Sequence, residues 1–127
     1  VSVVAEQAQK FTLQTKHSHR HTEIMLQLRN LLAQHIAENH QPAFYASQLN
    51  ISTVYLNEIV RKLTGLSTSS YIKNEIVLLA KRMLARTDLS VKQIANQLGF
   101  EDWAYFTRLF TQATSITPTA FRSKYLE

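Results

Sequence analysis

The chain has 127 residues, of which 45% are hydrophobic, so it can bury the core of one compact domain and is not expected to be disordered. Its formal net charge of +5 suits a nucleic-acid partner, whereas the absence of cysteine excludes disulfides and thiolate chemistry. Because no apolar run reaches the length of a membrane span and no signal-peptide pattern is present, we expect a cytoplasmic protein and no membrane contact from this segment.

Residues 1–21 are expected to be an N-terminal linker or the edge of a longer protein, since the chain does not begin with Met. The polar run Lys16–His21 contains alternating histidines, which invite a metal-site interpretation. In a helix, however, His17, His19 and His21 would not share a face, and no carboxylate or Cys lies close to them. A solvated linker is therefore the preferred interpretation, and no metal site is expected.

Residues 22–127 are predicted to form the folded domain, which begins with a long amphipathic helix. Thr22 is expected to cap this helix and Asn39 to lie at its end. Apolar residues recur along it at helical spacing, so one face is expected to pack against the rest of the domain. These residues are Ile24, Leu28, Leu31, Leu32 and Ile36.

A first helix-turn-helix unit is predicted over about residues 43–64. Pro42 lies near the start of its first helix, where proline is tolerated. Asn50-Ile51 are expected to form the turn, and Ser52 or Thr53 then caps the second helix. The side chains expected to face outward from this second helix are Val54, Asn57, Glu58 and Arg61.

Glu58 leaves two interpretations open. Its carboxylate would repel a DNA phosphate, yet it can accept a hydrogen bond from the N4 amine of a cytosine. The alternative is a solvated surface residue that pairs with Arg61 or Lys62.

A central helix is predicted over about residues 67–86. Ile76–Ala80 are five apolar residues in a row, more than one helix face needs. This run fits a helix that contacts two units at once. Alternatively, Leu78 is left exposed as a contact for another domain or a second subunit.

A second helix-turn-helix unit is predicted over about residues 91–113. Ser90 caps its first helix, Gly99 supplies the left-handed residue of the turn, and Asp102 caps its second helix. The inward face of the second helix is expected to hold Tyr105, Phe106, Leu109 and Phe110. The outward face is expected to hold Ala104, Thr107, Arg108 and Thr111. A last short helix then starts at Thr117-Pro118, with Phe121, Tyr125 and Leu126 inward and Arg122 and Lys124 outward.

The two units form an internal repeat. Ala46 matches Ala95 at an offset of 49 residues, and after a one-residue insertion Tyr55 matches Tyr105 at an offset of 50. Each copy holds a helix-turn-helix and a following turn. We therefore predict an all-α fold of about seven helices, in which a central helix joins two helix-turn-helix units.

The outward face of the second helix in each unit is narrow enough to enter a DNA major groove. We therefore predict sequence-specific DNA binding, in which both of these recognition helices read adjacent major-groove segments of an asymmetric site. The expected base contacts are Val54, Asn57, Glu58, Trp103, Ala104, Thr107 and Arg108. The expected phosphate contacts are Ser52, Arg61, Lys62, Thr111, Arg122 and Lys124. For Trp103, contact with sugar and thymine methyl competes with a role in covering the edge of the core.

Two rival function classes are considered. A helical protein-interaction or signalling module without direct DNA binding would use Leu78 and Glu58 in a protein interface. An enzyme is the weaker rival, because the sequence shows no paired acid and base, no nucleophile constellation and no phosphate loop. No catalytic residue and no cofactor are expected.

The residues also carry a family resemblance. Ala95-x-x-Leu98-Gly99-Phe100, Tyr105-Phe106-x-Arg108-x-Phe110, Thr117-Pro118 and Phe121-Arg122 resemble the signature of AraC/XylS-type bacterial transcription regulators. The first copy fits the same family with Tyr55-Leu56, Thr64-Gly65, Tyr71-Ile72, Ala80-Lys81-Arg82 and Leu84. The resemblance covers roughly residues 42–125.

This resemblance implies an all-α module whose partner is double-stranded DNA, with RNA polymerase as a candidate second partner. It also implies that a sensor or receiver domain precedes the module in the full protein. The chain departs from the family pattern at Thr111-Gln112, where a basic pair is common, and at Ser115, where Gly is usual.

Overall fold

The computed structural model describes the backbone of residues 2–126 and the side chains of residues 18–125. Within this part of the chain there are seven helices and no strand, so the predicted all-α fold class is confirmed. The helices are α1 (Ser2–His35), α2 (Pro42–Gln48), α3 (Thr53–Thr64), α4 (Thr68–Arg86), α5 (Val91–Gln97), α6 (Trp103–Thr114) and α7 (Pro118–Leu126). α2 and α3 form the first helix-turn-helix unit, α5 and α6 form the second, and α4 joins them.

The first helix is longer at its start than predicted. α1 begins at Ser2, and Thr22 lies inside it, donating its hydroxyl to the Ser18 carbonyl at 2.9 Å rather than capping a helix end. The physical reason is the absence of any Gly or Pro before Pro42 that would break the helix. The helix also ends earlier than predicted, at His35 rather than Asn39. The side chains of residues 1–17, including His17, lie outside the described part of the chain. The linker interpretation of residues 1–21 therefore stays a prediction.

Helix starts show the same repeat as the sequence. α5 begins 49 residues after α2, whereas α6 and α7 begin 50 residues after α3 and α4. The turns also match, since the Ile51 N–H donates to the Ala46 carbonyl at 3.1 Å and the Phe100 N–H donates to the Ala95 carbonyl at 2.9 Å. These bonds close both turns in the manner of a Schellman motif.

Left-handed backbone marks equivalent positions of the two copies. In the turns, φ is 58° at Asn50 and 92° at Gly99, and after the recognition helices φ is 78° at Gly65 and 69° at Ser115. Each pair combines one glycine with one other residue. The repeat therefore fixes where the chain must turn left-handed, and asparagine or serine tolerates that conformation at an energetic cost that glycine avoids.

Side-chain caps start the helices at the predicted residues. The Ser52 hydroxyl accepts the Tyr55 N–H at 3.0 Å, and the Asp102 carboxylate accepts the Ala104 N–H at 2.9 Å. Ser90 and Gln93 form a reciprocal capping box at the start of α5. Ser52, not Thr53, therefore caps the first recognition helix.

α4 lies at the centre of the fold and packs against α2, α3, α5, α6 and α7. In its apolar run, Ile76, Val77 and Ala80 are buried, and Leu79 packs at the edge of the core. Leu78 is 40% exposed. The run is therefore wide because the helix contacts both units, and one member still faces solvent.

The segment between α1 and α2 connects the two units directly. The His40 imidazole Nε2 donates to the Leu98 carbonyl in the turn of the second unit at 2.7 Å. The Tyr45 hydroxyl donates to the Asn39 carbonyl at 2.6 Å, and burial, with a smaller contribution from Glu38, raises the pKa of Tyr45 to about 12. Gly99 itself lies against the turn that follows α1, where an added Cβ would be 2.9 Å from the Ile36 and Ala37 carbonyl oxygens.

We predict that Gly99→Ala destabilises the domain more than Gly65→Ala does. Both residues have left-handed φ, so either alanine should cost about 1–2 kcal/mol. A Cβ at Gly65 meets no atom within 4 Å, whereas one at Gly99 collides with two backbone carbonyls. The total for Gly99→Ala should therefore be roughly 2–5 kcal/mol. Urea unfolding measures the free energy of unfolding of both variants. Equal decreases for the two would show that the close approach of Gly99 to the Ile36 and Ala37 carbonyls does not affect stability.

Candidate nucleic-acid interface

The two recognition helices, α3 and α6, bury one face each. α3 buries Leu56, Ile59 and Val60, and α6 buries Phe106 and Phe110. Their opposite faces point away from the core, as the helical spacing predicts. Val54, the first outward residue of α3, is 70% exposed.

Glu58 and Arg108 occupy equivalent positions of the two recognition helices, 50 residues apart, and carry opposite charges. Both side chains are exposed. Among residues 18–125 neither forms an ion pair, so the alternative pairing of Glu58 with Arg61 or Lys62 is not seen there. The outward faces of the two units therefore differ in charge, with a hydrogen-bond acceptor at Glu58 and a donor at Arg108.

Asn57 does not face outward as predicted. Its side-chain oxygen accepts the backbone N–H of Thr68, the first residue of α4, at 3.1 Å. Thr68 is only 2% exposed, so its N–H needs a protein acceptor. The equivalent residues of the second copy are Thr107 and Pro118, and proline has no N–H to satisfy. Asn57 therefore has a structural role that its repeat partner lacks.

The start of α6 presents aromatic surface. Trp103 is 50% exposed, so half of its surface is open to a partner and half is covered by the protein. Tyr105 is expected to face inward, but it is 47% exposed, and its ring is tilted by 41° to that of Phe100 with the centroids 6.0 Å apart. The reason is that Tyr105 lies at the margin of the apolar stripe, beside the Arg108 guanidinium, whose carbon is 6.0 Å from the Tyr105 ring centroid.

Three of the smaller predicted contacts are partly buried on α6: Ala104, Thr107 and Thr111. The two threonine hydroxyls donate to carbonyls one turn earlier, Thr107 to Trp103 at 3.0 Å and Thr111 to Thr107 at 2.7 Å. Each hydroxyl oxygen keeps free lone pairs, but its proton is committed within the helix.

The predicted phosphate contacts divide into free and engaged groups. Arg61, Lys62 and Lys124 are exposed and have no ion-pair partner in the described part of the chain. Ser52 is exposed, but its oxygen already accepts the capping N–H of α3.

Arg122 does not point outward as expected. Its Nε donates to the Leu84 carbonyl at 3.0 Å, and its Nη2 donates to the Thr87 carbonyl at 3.3 Å. These carbonyls lie at the C-terminal end of α4, where backbone acceptors lack helical partners and positive charge is favourable. Tyr125 was also expected to be buried, but it is 62% exposed and stacks on Phe121 at a centroid distance of 4.7 Å.

Lys73 is an exposed cation that local sequence patterns do not connect with α6. It projects from α4 into the same cleft as Arg108 and Gln112 of α6. Helical spacing relates Lys73 only to neighbours on its own helix, such as Ser69 and Val77. It does not connect Lys73 with α6, which begins thirty residues later. Only the packing of α4 against α6 reveals the proximity.

Among residues 18–125 there is no group of three or more His, Asp or Glu side chains placed to hold a metal ion. None of the helices there combines the length and apolar character that crossing a membrane requires.

Comparison with known proteins identifies the family. The family model described as a helix-turn-helix domain matches residues 45–124, which include both units and α4. The chain belongs to the AraC/XylS-type helix-turn-helix family. This family and its fold are those of DNA-binding transcription regulators, which are not enzymes.

Relatives of this AraC-type domain are longer proteins. An uncharacterized HTH-type transcriptional regulator, YfiF of Bacillus subtilis, is 34% identical over 104 residues, covering 82% of this chain and 32% of the relative. The chain spans about a third of the length of the curated relatives it matches.

Solved structures share the fold of this AraC-type domain. A transcriptional regulator of Chromobacterium violaceum with an AraC-type DNA-binding domain has a TM-score of 0.76 at 21% identity, with 84% of this chain and 95% of that chain covered. The DNA-binding domain of AdpA, a global transcriptional factor, was solved in complex with a target DNA. It has a TM-score of 0.70 at 24% identity, with 77% of this chain and 88% of that chain covered.

We predict that Asn57→Ala destabilises this AraC-type domain by about 1–3 kcal/mol, because the buried Thr68 N–H loses its acceptor. Thr107→Ala is the matched control, since Pro118 needs no acceptor, and it should stay within about 0.5 kcal/mol of the parent. Thermal melting of both variants gives the comparison. Unchanged melting of Asn57→Ala would mean that this side chain is not needed for the start of α4.

Proposed function

We propose that this chain is the DNA-binding module of a transcription regulator, and that α3 and α6 enter adjacent major-groove segments of one asymmetric site. The observation that carries the proposal is that α3 and α6, equivalent helices of the internal repeat, each have an exposed outward face. The AdpA domain, which shares this fold and was solved with a target DNA, supports the choice of partner.

The tandem arrangement determines the symmetry of the site. A homodimer reads a palindrome because its two-fold axis reverses one half of the site, whereas a tandem repeat within one chain has no such axis. α4 packs against both units, so it holds the recognition helices at a fixed separation. Successive major-groove segments on one DNA face lie about 34 Å apart, which sets the spacing of the two boxes.

Outward side chains then give each box its own chemistry. Arg108 would pair bidentately with the O6 and N7 atoms of guanine, and Glu58 would accept the N4 amine of cytosine. Val54 and Ala104 are apolar groups suited to a thymine methyl. Trp103, half exposed at the start of α6, would pack on a DNA sugar and a thymine methyl at the edge of the contact.

Phosphate contacts would hold the module on either box. Arg61, Lys62 and Lys124 are the exposed cations among the predicted contacts, and Thr111 and Ser52 keep an exposed or partly exposed hydroxyl oxygen. Asn57 retains its amide N–H₂ group for DNA, and Arg122 retains its Nη1 nitrogen, but both are anchored to α4.

The whole protein is proposed to act in the cytoplasm with RNA polymerase as a second partner. A sensor or receiver domain is proposed to precede the module, in keeping with relatives of which the matched region is only about a third.

The proposal is tested by selecting bound duplexes from a random library and titrating the best one with salt. We expect a site with two unlike boxes about one helical turn apart. Affinity should fall as salt rises, with a logarithmic slope of about −0.9 for each phosphate neutralised. A strict palindrome bound only by dimers would contradict the asymmetric reading. No binding even at low salt would overturn DNA recognition itself and favour the protein-interaction module.

A second prediction separates base reading from phosphate holding. Arg108→Ala should cost about 1–3 kcal/mol of binding free energy and relax preference at one position of the second box. Lys62→Ala should weaken binding to all sequences alike and flatten the salt slope by about one unit, because the side chain leaves from the end of α3. Both residues are exposed, so neither change should unfold the domain. Binding to a panel of single-base variants measures both, and a reversed pattern would exchange their roles.

A further inference from the structure

The second recognition helix lacks the cations that end the first one. α3 carries Arg61 and Lys62 in its last turns, whereas the equivalent residues of α6, 50 positions later, are Thr111 and Gln112. If both helices enter a major groove, the phosphates beside this part of α6 meet no charge from α6 itself.

A cleft beside α6 supplies the missing charge from another helix. It has a volume of about 280 Å³ and lies between α4 and α6. Ser70, Lys73 and Asn74 line it from α4, and Tyr105, Arg108 and Gln112 line it from α6. Gln112, the residue that replaces the lysine, therefore faces the same cleft as Lys73.

We propose that Lys73 gives the second unit the phosphate contact that Lys62 gives the first. This inference rests on the proposed DNA-binding function and assigns one further DNA-backbone contact to it. The ligand is a phosphate of the strand that borders the groove entered by α6.

Charge and hydrogen-bonding capacity both favour an anion in this cleft. No carboxylate lines it, and neither Lys73 nor Arg108 has an ion-pair partner within the described residues. Two cations in one cleft repel each other, and a phosphate between or beside them attracts both, which offsets that repulsion. The amides of Asn74 and Gln112 add N–H donors, and charge-assisted bonds from lysine to phosphate are stronger than neutral ones.

Position favours DNA as the source of the phosphate. Arg108 lines the cleft and also belongs to the outward face of α6, so the cleft opens beside the base-reading surface. Phosphates border both edges of the major groove and fix a protein's register without reading sequence. Lys73 would thereby hold α6 in place while Arg108 reads a base.

The test compares Lys73→Gln with Arg82→Gln, which removes the same charge from the same helix. Arg82 lines a different cavity, shared with Leu26 and Arg29 of α1. Lys73→Gln should weaken binding to every duplex by the same factor and flatten the salt slope by about one unit, whereas Arg82→Gln should leave both unchanged. Melting curves of both variants should match the parent, because both side chains are exposed.

A relocation variant sharpens the test. Adding Gln112→Lys to Lys73→Gln returns the charge to the cleft from α6, so it should restore both the affinity and the salt slope. Equal binding by Lys73→Gln and the parent would overturn the inference while leaving the DNA-binding proposal intact. Failure of the parent to bind duplex at low salt would instead overturn that proposal first. A response of the cleft to inorganic phosphate in NMR titration, combined with an unchanged salt slope for Lys73→Gln on duplex, would assign the cleft to a free anion and also overturn the inference.

Discussion

The geometry of the domain depends on the contact of Ile36 and Ala37, in the turn after α1, with Gly99 in the turn of the second unit. Each helix-turn-helix unit could pack as a hairpin by itself, and α4 alone would join the two through one helix. Gly99 adds a second connection, since its backbone lies where only a hydrogen fits against the Ile36 and Ala37 carbonyls. The His40–Leu98 hydrogen bond closes the same junction. Two separated attachments resist rotation of one unit against the other, and a fixed separation of α3 and α6 follows.

The repeat shows which properties the fold requires and which are free to differ. Backbone positions are held in common: both turns, both left-handed positions and the side-chain cap of the recognition helix recur at offsets of 49 or 50 residues. Outward side chains are not held in common, as Glu58 and Arg108 show by their opposite charge. A scaffold of this kind presents two different surfaces at matching places, so the asymmetry of the proposed site lies in side chains rather than in architecture.

Much of this fold could be predicted from the sequence because its signals are local. Apolar periodicity, caps such as Ser90 and Asp102, and the glycine of the second turn each act within a few residues, and the helices lie close to where these signals placed them. The start of α1 was missed for the converse reason, since no local breaker marks it.

The side-chain orientations that differ from prediction have another origin. Helical spacing identifies the face on which a side chain lies, but not the partner that another element brings to it. Asn57 is held by a backbone group 11 residues later, and Arg122 by a carbonyl 38 residues earlier. Lys73 likewise shares a cleft with Arg108 only because α6 packs beside α4. Each of these polar side chains contacts α4 or projects from it, and α4 packs against α2, α3, α5, α6 and α7.

α4 and the end of α1 therefore do more than fill the core. α4 carries the buried residues that join the units, the N–H that fixes Asn57 and the carbonyls that hold Arg122. α1 packs on α2 and α3, while the turn that follows it contacts the second unit. The carbonyls of Ile36 and Ala37, in the turn after α1, approach Gly99 so closely that a Cβ would not fit, so this turn packs directly on the second unit. The packing of α1 on α2 and α3 and the contact of the following turn with Gly99 together join the first unit to the second outside α4.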